Sequence, residues 1–270
     1  MRALAFSLVI SLGLGACALG YRGVVEVEAE YGLTDIDAVR LELPDTPIAV
    51  VGAPTAETLY LTGFWSSVGG TAKAAGDYAA SPRLDFAVDG RFAALTAVIP
   101  VDARDLVDLE VDTVTLPSDR DLEVWTGLGD VQVTHVDGNI SIDVGVGNVE
   151  VIGGAGGVAV RTGEGDIDVI TPGNVDGHTR RGHVHVTQEG VGGNDVVMTA
   201  VVGDIEVDLA ADANLDLEIA AGGDIRVQTR TVSTVTSGRF SREVGNGGVK
   251  VWLQAPYGHV TVRLREDASP

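Results

Sequence analysis

From Gly129 onward, apolar and polar residues alternate in short bursts, each opened by a glycine, in the pattern Gly-x-(Ile/Val)-x-(Ile/Val). The bursts begin at Gly129, Gly138, Gly147, Gly156 and Gly165, nine residues apart, and continue at Gly173 and Gly182. Further copies open at Gly203 and Gly223 after wider steps of 21 and 20, and Gly247 and Gly258 close the array. A period of two with branched Val and Ile on one face predicts strands with one buried side, and no helical period is present. A nine-residue unit holds about five residues of strand plus a turn, too little to bury its own apolar face.

Two aliphatics per unit supply about 3 to 6 kcal/mol of transfer free energy. Ordering the backbone costs about 1 to 2 kcal/mol per residue, so neighbouring units must stack. Short repeated strands joined at glycine corners stack into a solenoid. The predicted fold is all-β: a single-stranded parallel β-solenoid (β-helix) with two strands per coil and an irregular N-terminal β cap. The steps near 20 fit two sides per coil, and a three-sided coil of about 27 residues is the competing register. In the two-sided register one sheet takes the units at 129, 147, 165, 182, 203, 223 and 247. The other takes those at 138, 156 and 173, a degenerate copy near Gly193, the stretches 215–217 and 232–235, and the unit at 258.

Before residue 121 the spacing is irregular. Strands are expected at 36–43, 48–51, 58–62, 84–88, 92–99 and 106–115, with an exposed loop over the Gly-, Ala- and Ser-rich stretch 69–82. The predicted organisation is a signal segment 1–16, a tether 17–34, a cap with early coils 35–120, the repeat array 121–263 and a tail 264–270.

Composition narrows the function. Lys and Arg number 18 against 39 Asp and Glu, a net charge of −21 that leaves no basic surface for nucleic acid. Glycine, at 36 of 270 residues, is about twice its usual share, as many tight corners require.

The N-terminus carries an address. Arg2 precedes an apolar run over 3–14, the order of a secretory signal peptide, and the run is too short to span a bilayer. It ends Leu14-Gly15-Ala16-Cys17, which resembles the lipobox of bacterial lipoproteins. That resemblance implies cleavage after Ala16, acylation of Cys17 and, since Ala18 rather than Asp follows, the outer membrane in a Gram-negative cell. An ordinary signal peptide and a soluble secreted product are the alternative. Cys17 is the only cysteine, and lipidation would account for an unpaired thiol in an exported chain. Two or three acyl chains anchor stably, each buried methylene contributing about 0.8 kcal/mol.

The Gly-x-Ile-x-Val array, preceded by Leu116-Pro117 and the 121–129 lead-in, resembles the bacterial putative-adhesin family of β-strand repeats over roughly residues 36–263. The resemblance implies an exported or membrane-tethered envelope protein, the class to which adhesion and scaffolding belong.

Candidate chemistry is sparse. His183 and His185 alternate on one strand and are expected to project the same way, about 6.8 Å apart. In the two-sided register the pairs Asp166/Asp168 and Asp204/Glu206 lie about 4.8 Å to either side, a donor set for zinc or another divalent transition metal. A solvated face on which histidine relieves acidic repulsion is the competing reading. Asp130, Asn148, Asp166, Asp204 and Asp224 are expected to form a stacked file of carboxylates with one Asn, destabilised by like charge. Turn chemistry after a corner glycine explains the same residues. The nonapeptide calcium roll shares the period, but Ile167 and Val158 fall where its Asp belongs. Asp166, Asp168, Arg180, Arg181 and His183 hold the residue types for acid–base work on uronates, and Trp65, Trp125, Trp252 and Tyr257 could stack on sugars. Nucleophile elbows, phosphate loops and HExxH stretches are absent.

The expectation is therefore a non-enzymatic, lipid-anchored envelope protein that needs no cofactor and works by surface contact. Its partners would be membrane lipid through Cys17 and envelope glycans or proteins. A β-helical polysaccharide lyase or hydrolase, and an envelope sensor with a membrane partner, are the alternatives.

Overall fold

The structure, a computed structural model, describes residues 20–189, 193–210, 213–228 and 233–265. The signal segment 1–16, Cys17 and most of the tail lie outside the described residues. Within them the chain is all-β apart from one helix. The first half comprises β1 (Tyr21–Gly32), β2 (Ala38–Glu42), β3 (Ile48–Ala53), β4 (Thr58–Gly69), α1 (Ala72–Ala79), β5 (Arg83–Asp89), β6 (Phe92–Val98) and β7 (Val107–Pro117). The repeat region begins with β8 (Asp121–Leu128), β9 (Val131–Val136), β10 (Asn139–Val146), β11 (Val149–Gly153), β12 (Gly157–Glu164) and β13 (Ile167–Thr171). It continues through β14 (Val175–Arg181), β15 (Val184–Gln188), β16 (Val196–Val202), β17 (Ile205–Ala210), β18 (Leu215–Gln228), β19 (Ser233–Val244), β20 (Val249–Ala255) and β21 (Val260–Arg265).

From β8 to β17 each strand pairs in parallel with the next strand but one. Val131 lies beside Val149, Val149 beside Ile167, Ile167 beside Val184 and Val184 beside Ile205. Two ladders result. The first runs β1–β4–β7–β3–β9–β11–β13–β15–β17–β21 and ends on residues 225–228 of β18. The second runs β5–β6–β2–β8–β10–β12–β14–β16–β20 and ends on residues 215–221 of β18. This mostly parallel pairing is consistent with a parallel solenoid.

The inward residues are the predicted branched aliphatics. Val133, Val151, Val169, Val186 and Val207 are fully buried along the first ladder, and Ile140, Ile142, Val158 and Val160 are buried along the second. Along β10 the outward neighbours Asn139, Ser141 and Asp143 are polar and exposed, the alternation of a half-buried strand. Corners need glycine for two reasons. Gly165 has φ +150°, and a Cβ there would lie 1.9 Å from the carbonyl oxygen of Gly147 on the preceding rung.

Both ends depart from simple winding. β2 and β3 sit between the β6–β7 rung and the β8–β9 rung, so the excursion through β4, α1 and β5, with β1 beside β4, forms the N-terminal end. At the far end β18 crosses both ladders, shifting register between Ala221 and Asp224, and β19 returns antiparallel along its outer edge. The chain then threads back, placing β20 and β21 between β18 and the β16–β17 rung.

Three expectations are corrected here. The supposed tether 17–34 contains β1, whose Val25 and Val27 are buried while Glu26, Glu28 and Glu30 face solvent. Within the supposed loop 69–82, Thr71 caps α1 by accepting the Ala74 N–H at 3.1 Å, and Ala75 and Ala79 are buried beneath it. The helix can lie this close because Gly23 has no Cβ, which would fall 2.4 Å from the Ala75 carbonyl oxygen. Finally, the units at 247 and 258 exchange sheets: β20 belongs with β16, and β21 with β17. The excursion through β18 and β19 shifts each of them to the other ladder, which counting along the chain did not include.

Candidate functional site

The residue after each corner glycine of the first ladder forms a continuous side-chain-to-backbone chain. Asp130 Oδ1 accepts the Asn148 N–H at 2.7 Å, Asn148 Oδ1 the Asp166 N–H at 2.9 Å, and Asp166 Oδ1 the His183 N–H at 2.7 Å. His183 Nδ1 accepts the Asp204 N–H at 3.2 Å, Asp204 Oδ1 the His259 N–H at 2.7 Å, and His259 Nδ1 the Asp224 N–H at 2.8 Å. A nitrogen that accepts carries no proton, so both imidazoles are neutral with the proton on Nε2.

This file corrects the expected stack of carboxylates. Along it the residues read Asp130, Asn148, Asp166, His183, Asp204, His259 and Asp224, with a neutral group between every two carboxylates. Like charges are thereby held two rungs apart, about 9.6 Å, near the screening length of physiological salt. The opposite corner repeats the device: Asp121 accepts the Asn139 N–H at 2.8 Å and Asp195 accepts the Lys250 N–H at 2.8 Å.

Two residues along each strand from this file, on the same outward face, the strands align Gln132, Glu150, Asp168, His185 and Glu206. His185 Nδ1 is 3.0 Å from Asp168 Oδ1, and His185 Nε2 is 3.6 Å from Asp208 Oδ2. Arg263 pairs closely with Glu206 and stands 3.8 Å from Asp208 Oδ1. Asp208 occupies an outward position, yet its side chain is only 3% exposed.

The six residues expected to converge on a metal therefore divide. Asp166, His183 and Asp204 belong to the corner file, whereas Asp168, His185 and Glu206 meet on the strand face. His185, Glu206 and Asp208 each offer a donor atom within 4.8 Å of the others. Asp208 was missed because an acidic residue two places beyond Glu206 in an alternating strand reads as one more solvated side chain. Arg263 comes from β21, whose place in the ladder the sequence did not show.

The acid–base set also divides. Arg181 and Arg180 both point to Glu164, at 2.9 and 3.4 Å, and Asp168 lies on a different row from Asp166 and His183. Trp65 is buried, whereas Trp125 is half exposed with the Arg40 guanidinium 4.8 Å above its ring. Tyr257 is 75% exposed and stands at an open groove of about 810 Å³ whose lining includes Asp166, Arg181, His183, Asp204 and His259. Beside this groove runs an exposed file of Leu128, Val146, Glu164, Arg181, Val202 and Tyr257.

These observations define a class: stacked-strand proteins with glycine corners, an aliphatic interior and an acidic, grooved exterior. The Toastrack DUF4097 family matches residues 108–269, more than half the chain, and the protein belongs to that family. Among solved structures it is similar to a putative cell adhesion protein from Clostridium sporogenes, at 12% identity and a TM-score of 0.39, covering 89% of this chain and 99% of that one. It is also similar to a putative adhesin from Bacteroides fragilis, at 12% identity and a TM-score of 0.37, covering 88% and 96%. No curated protein matches the chain.

Proposed function

We propose that the protein is an exported, lipid-anchored envelope component, a flattened coil of two strands per turn that acts by surface contact in adhesion or scaffolding. The observation that carries this reading is the Tyr257 groove, where an exposed aromatic ring stands beside Arg181 and the carboxylates of Asp166 and Asp204. A ring face with polar groups at its rim is the chemistry that holds a sugar, so the partner is an envelope glycan. The groove's ionisable groups are held by structure rather than poised for turnover, since Asp166 and His183 accept backbone N–H groups and Arg181 pairs with Glu164.

Lipidation of Cys17 would set the orientation. Only residues 18–20 lie between Cys17 and the first residue of β1, a reach of about 14 Å when extended. The N-terminal end of the stack would then stand against the membrane and the β18–β19 end, with the groove beside it, would face outward. Among the described residues no helix is long and apolar enough to cross a membrane.

Two experiments test the proposal. Radiolabelled fatty acid should enter the wild-type chain and not Cys17→Ser, which should leave the membrane fraction; equal labelling of both removes the anchor. Binding to peptidoglycan or isolated envelope polysaccharide should be saturable, release no product and weaken at least fivefold in Tyr257→Ala. Depolymerisation of the glycan would replace this reading with the enzymatic one.

A further inference from the structure

We infer that His185, Glu206 and Asp208 form a binding site for one divalent transition metal ion, with zinc as the best chemical match and Asp168 as its positioning residue. Asp168 Oδ1 lies 3.0 Å from His185 Nδ1; accepting the Nδ1–H there, it favours the tautomer whose Nε2 lone pair is directed the other way. Nε2 faces Asp208 Oδ2 at 3.6 Å. Tetrahedral zinc with bonds of about 2.1 Å holds its ligand atoms about 3.4 Å apart, so this pair already stands near a bite distance. Glu206, on a longer side chain and 41% exposed, supplies the third oxygen, all three donor atoms lying within 4.8 Å of one another. Water would complete the coordination from the open side.

Charge and burial favour a cation. Three carboxylates, Asp168, Glu206 and Asp208, surround the imidazole, and Arg263 is the positive group beside them. The carboxylate of Asp208 is almost wholly removed from water, which strengthens its field on Nε2. Arg263 draws on the same two carboxylates that the metal would use, so guanidinium and metal compete for Glu206 and Asp208. The corner histidine plays no part, because His183 Nδ1 is already accepting the Asp204 N–H.

The full-length chain, stripped with a chelator, should be titrated with zinc by calorimetry and with cobalt(II) by visible absorption. One ion should bind per chain, with cobalt giving the intense bands of four-coordination. His185→Ala and Asp208→Asn should each weaken zinc at least tenfold, Asp168→Asn severalfold, and His183→Ala not at all. Arg263→Gln should tighten binding severalfold, a gain that damage to the fold would not produce. Circular dichroism melting identifies any variant that unfolds. Affinity equal in wild type and His185→Ala, no binding below millimolar zinc, or unchanged affinity in Arg263→Gln would each overturn the site.

Discussion

Gly165 and Asp166 show how a two-residue corner does three jobs. The glycine adopts φ +150° and leaves room for the carbonyl of the rung behind it, while the aspartate turns its side chain to the N–H of the rung ahead. Gly165→Ala therefore meets both backbone strain and a 1.9 Å clash, and should cost about 2 to 4 kcal/mol by chemical denaturation. Gly32→Ala, where a Cβ meets nothing within 4 Å, should change stability by less than about 0.5 kcal/mol. Asp166→Asn keeps the acceptor, as Asn148 does one rung earlier, and should be near neutral; Asp166→Ala should lose about 1 kcal/mol. Nitrogen NMR should show His183 and His259 unprotonated at Nδ1 near neutral pH, and a protonated Nδ1 there would refute the acceptor role. The glycine corners were legible in the sequence. The neutral step between Asp204 and Asp224 was not, because His259 reaches its rung only through the return of the chain from β19.

At the scale of elements, the rungs are held by register and the ends by specific pins. Arg40 on β2 pairs with Glu123 at 2.6 Å and lies over the rings of Phe92 and Trp125, at 4.9 and 4.8 Å. It thus ties the inserted rung to β6 and β8 on both sides. Arg40→Ala should cost about 1 to 2 kcal/mol, since a partly buried guanidinium loses two ring contacts and its ion pairs with Glu123 and Glu42, and Arg40→Lys should recover only part. Thermal melting of the two variants measures the difference. A second pin is Asp37, whose carboxyl the Arg91 guanidinium, by hydrogen bond and charge, holds below the usual carboxylate range. A depressed folded-state pKa contributes stability above the unfolded value, and that contribution is lost as pH falls through the folded value. The stability gap between wild type and Asp37→Asn should therefore be present at pH 6 and close below about pH 4, the ordinary range for Asp. β1 carried its own strand signal in the alternation of Val25, Val27 and the three glutamates, but lying beside the export signal it read as a linker.

The molecule as a whole is a stack whose terminal segments are inserted before its last strands. Because β20 and β21 bridge β18 to the β16–β17 rung, the C-terminal residues hold two neighbours together rather than one. Truncation after Val244 should consequently remove the pairing of β18 as well as the final rung. The shortened chain should show hydrogen exchange in β18 and β19 close to that of unfolded peptide; retained protection there would show that the hairpin stands alone. At both ends the outermost strands, β1 and β5 at one and β19 at the other, run antiparallel to their neighbours, so neither parallel ladder ends on a parallel edge.

Alternation, glycine spacing and branched aliphatics were enough to determine a stacked all-β chain, its repeat unit and which side chains face inward, because each depends on residues within a few places of one another. Pairing partners were another matter. Every Gly-x-Val-x-Val unit fits beside every other, so local pattern leaves the order of rungs degenerate. The packing of the two end excursions decided that order, and with it the place of His259 between Asp204 and Asp224 and the meeting of Arg263 with His185, Glu206 and Asp208.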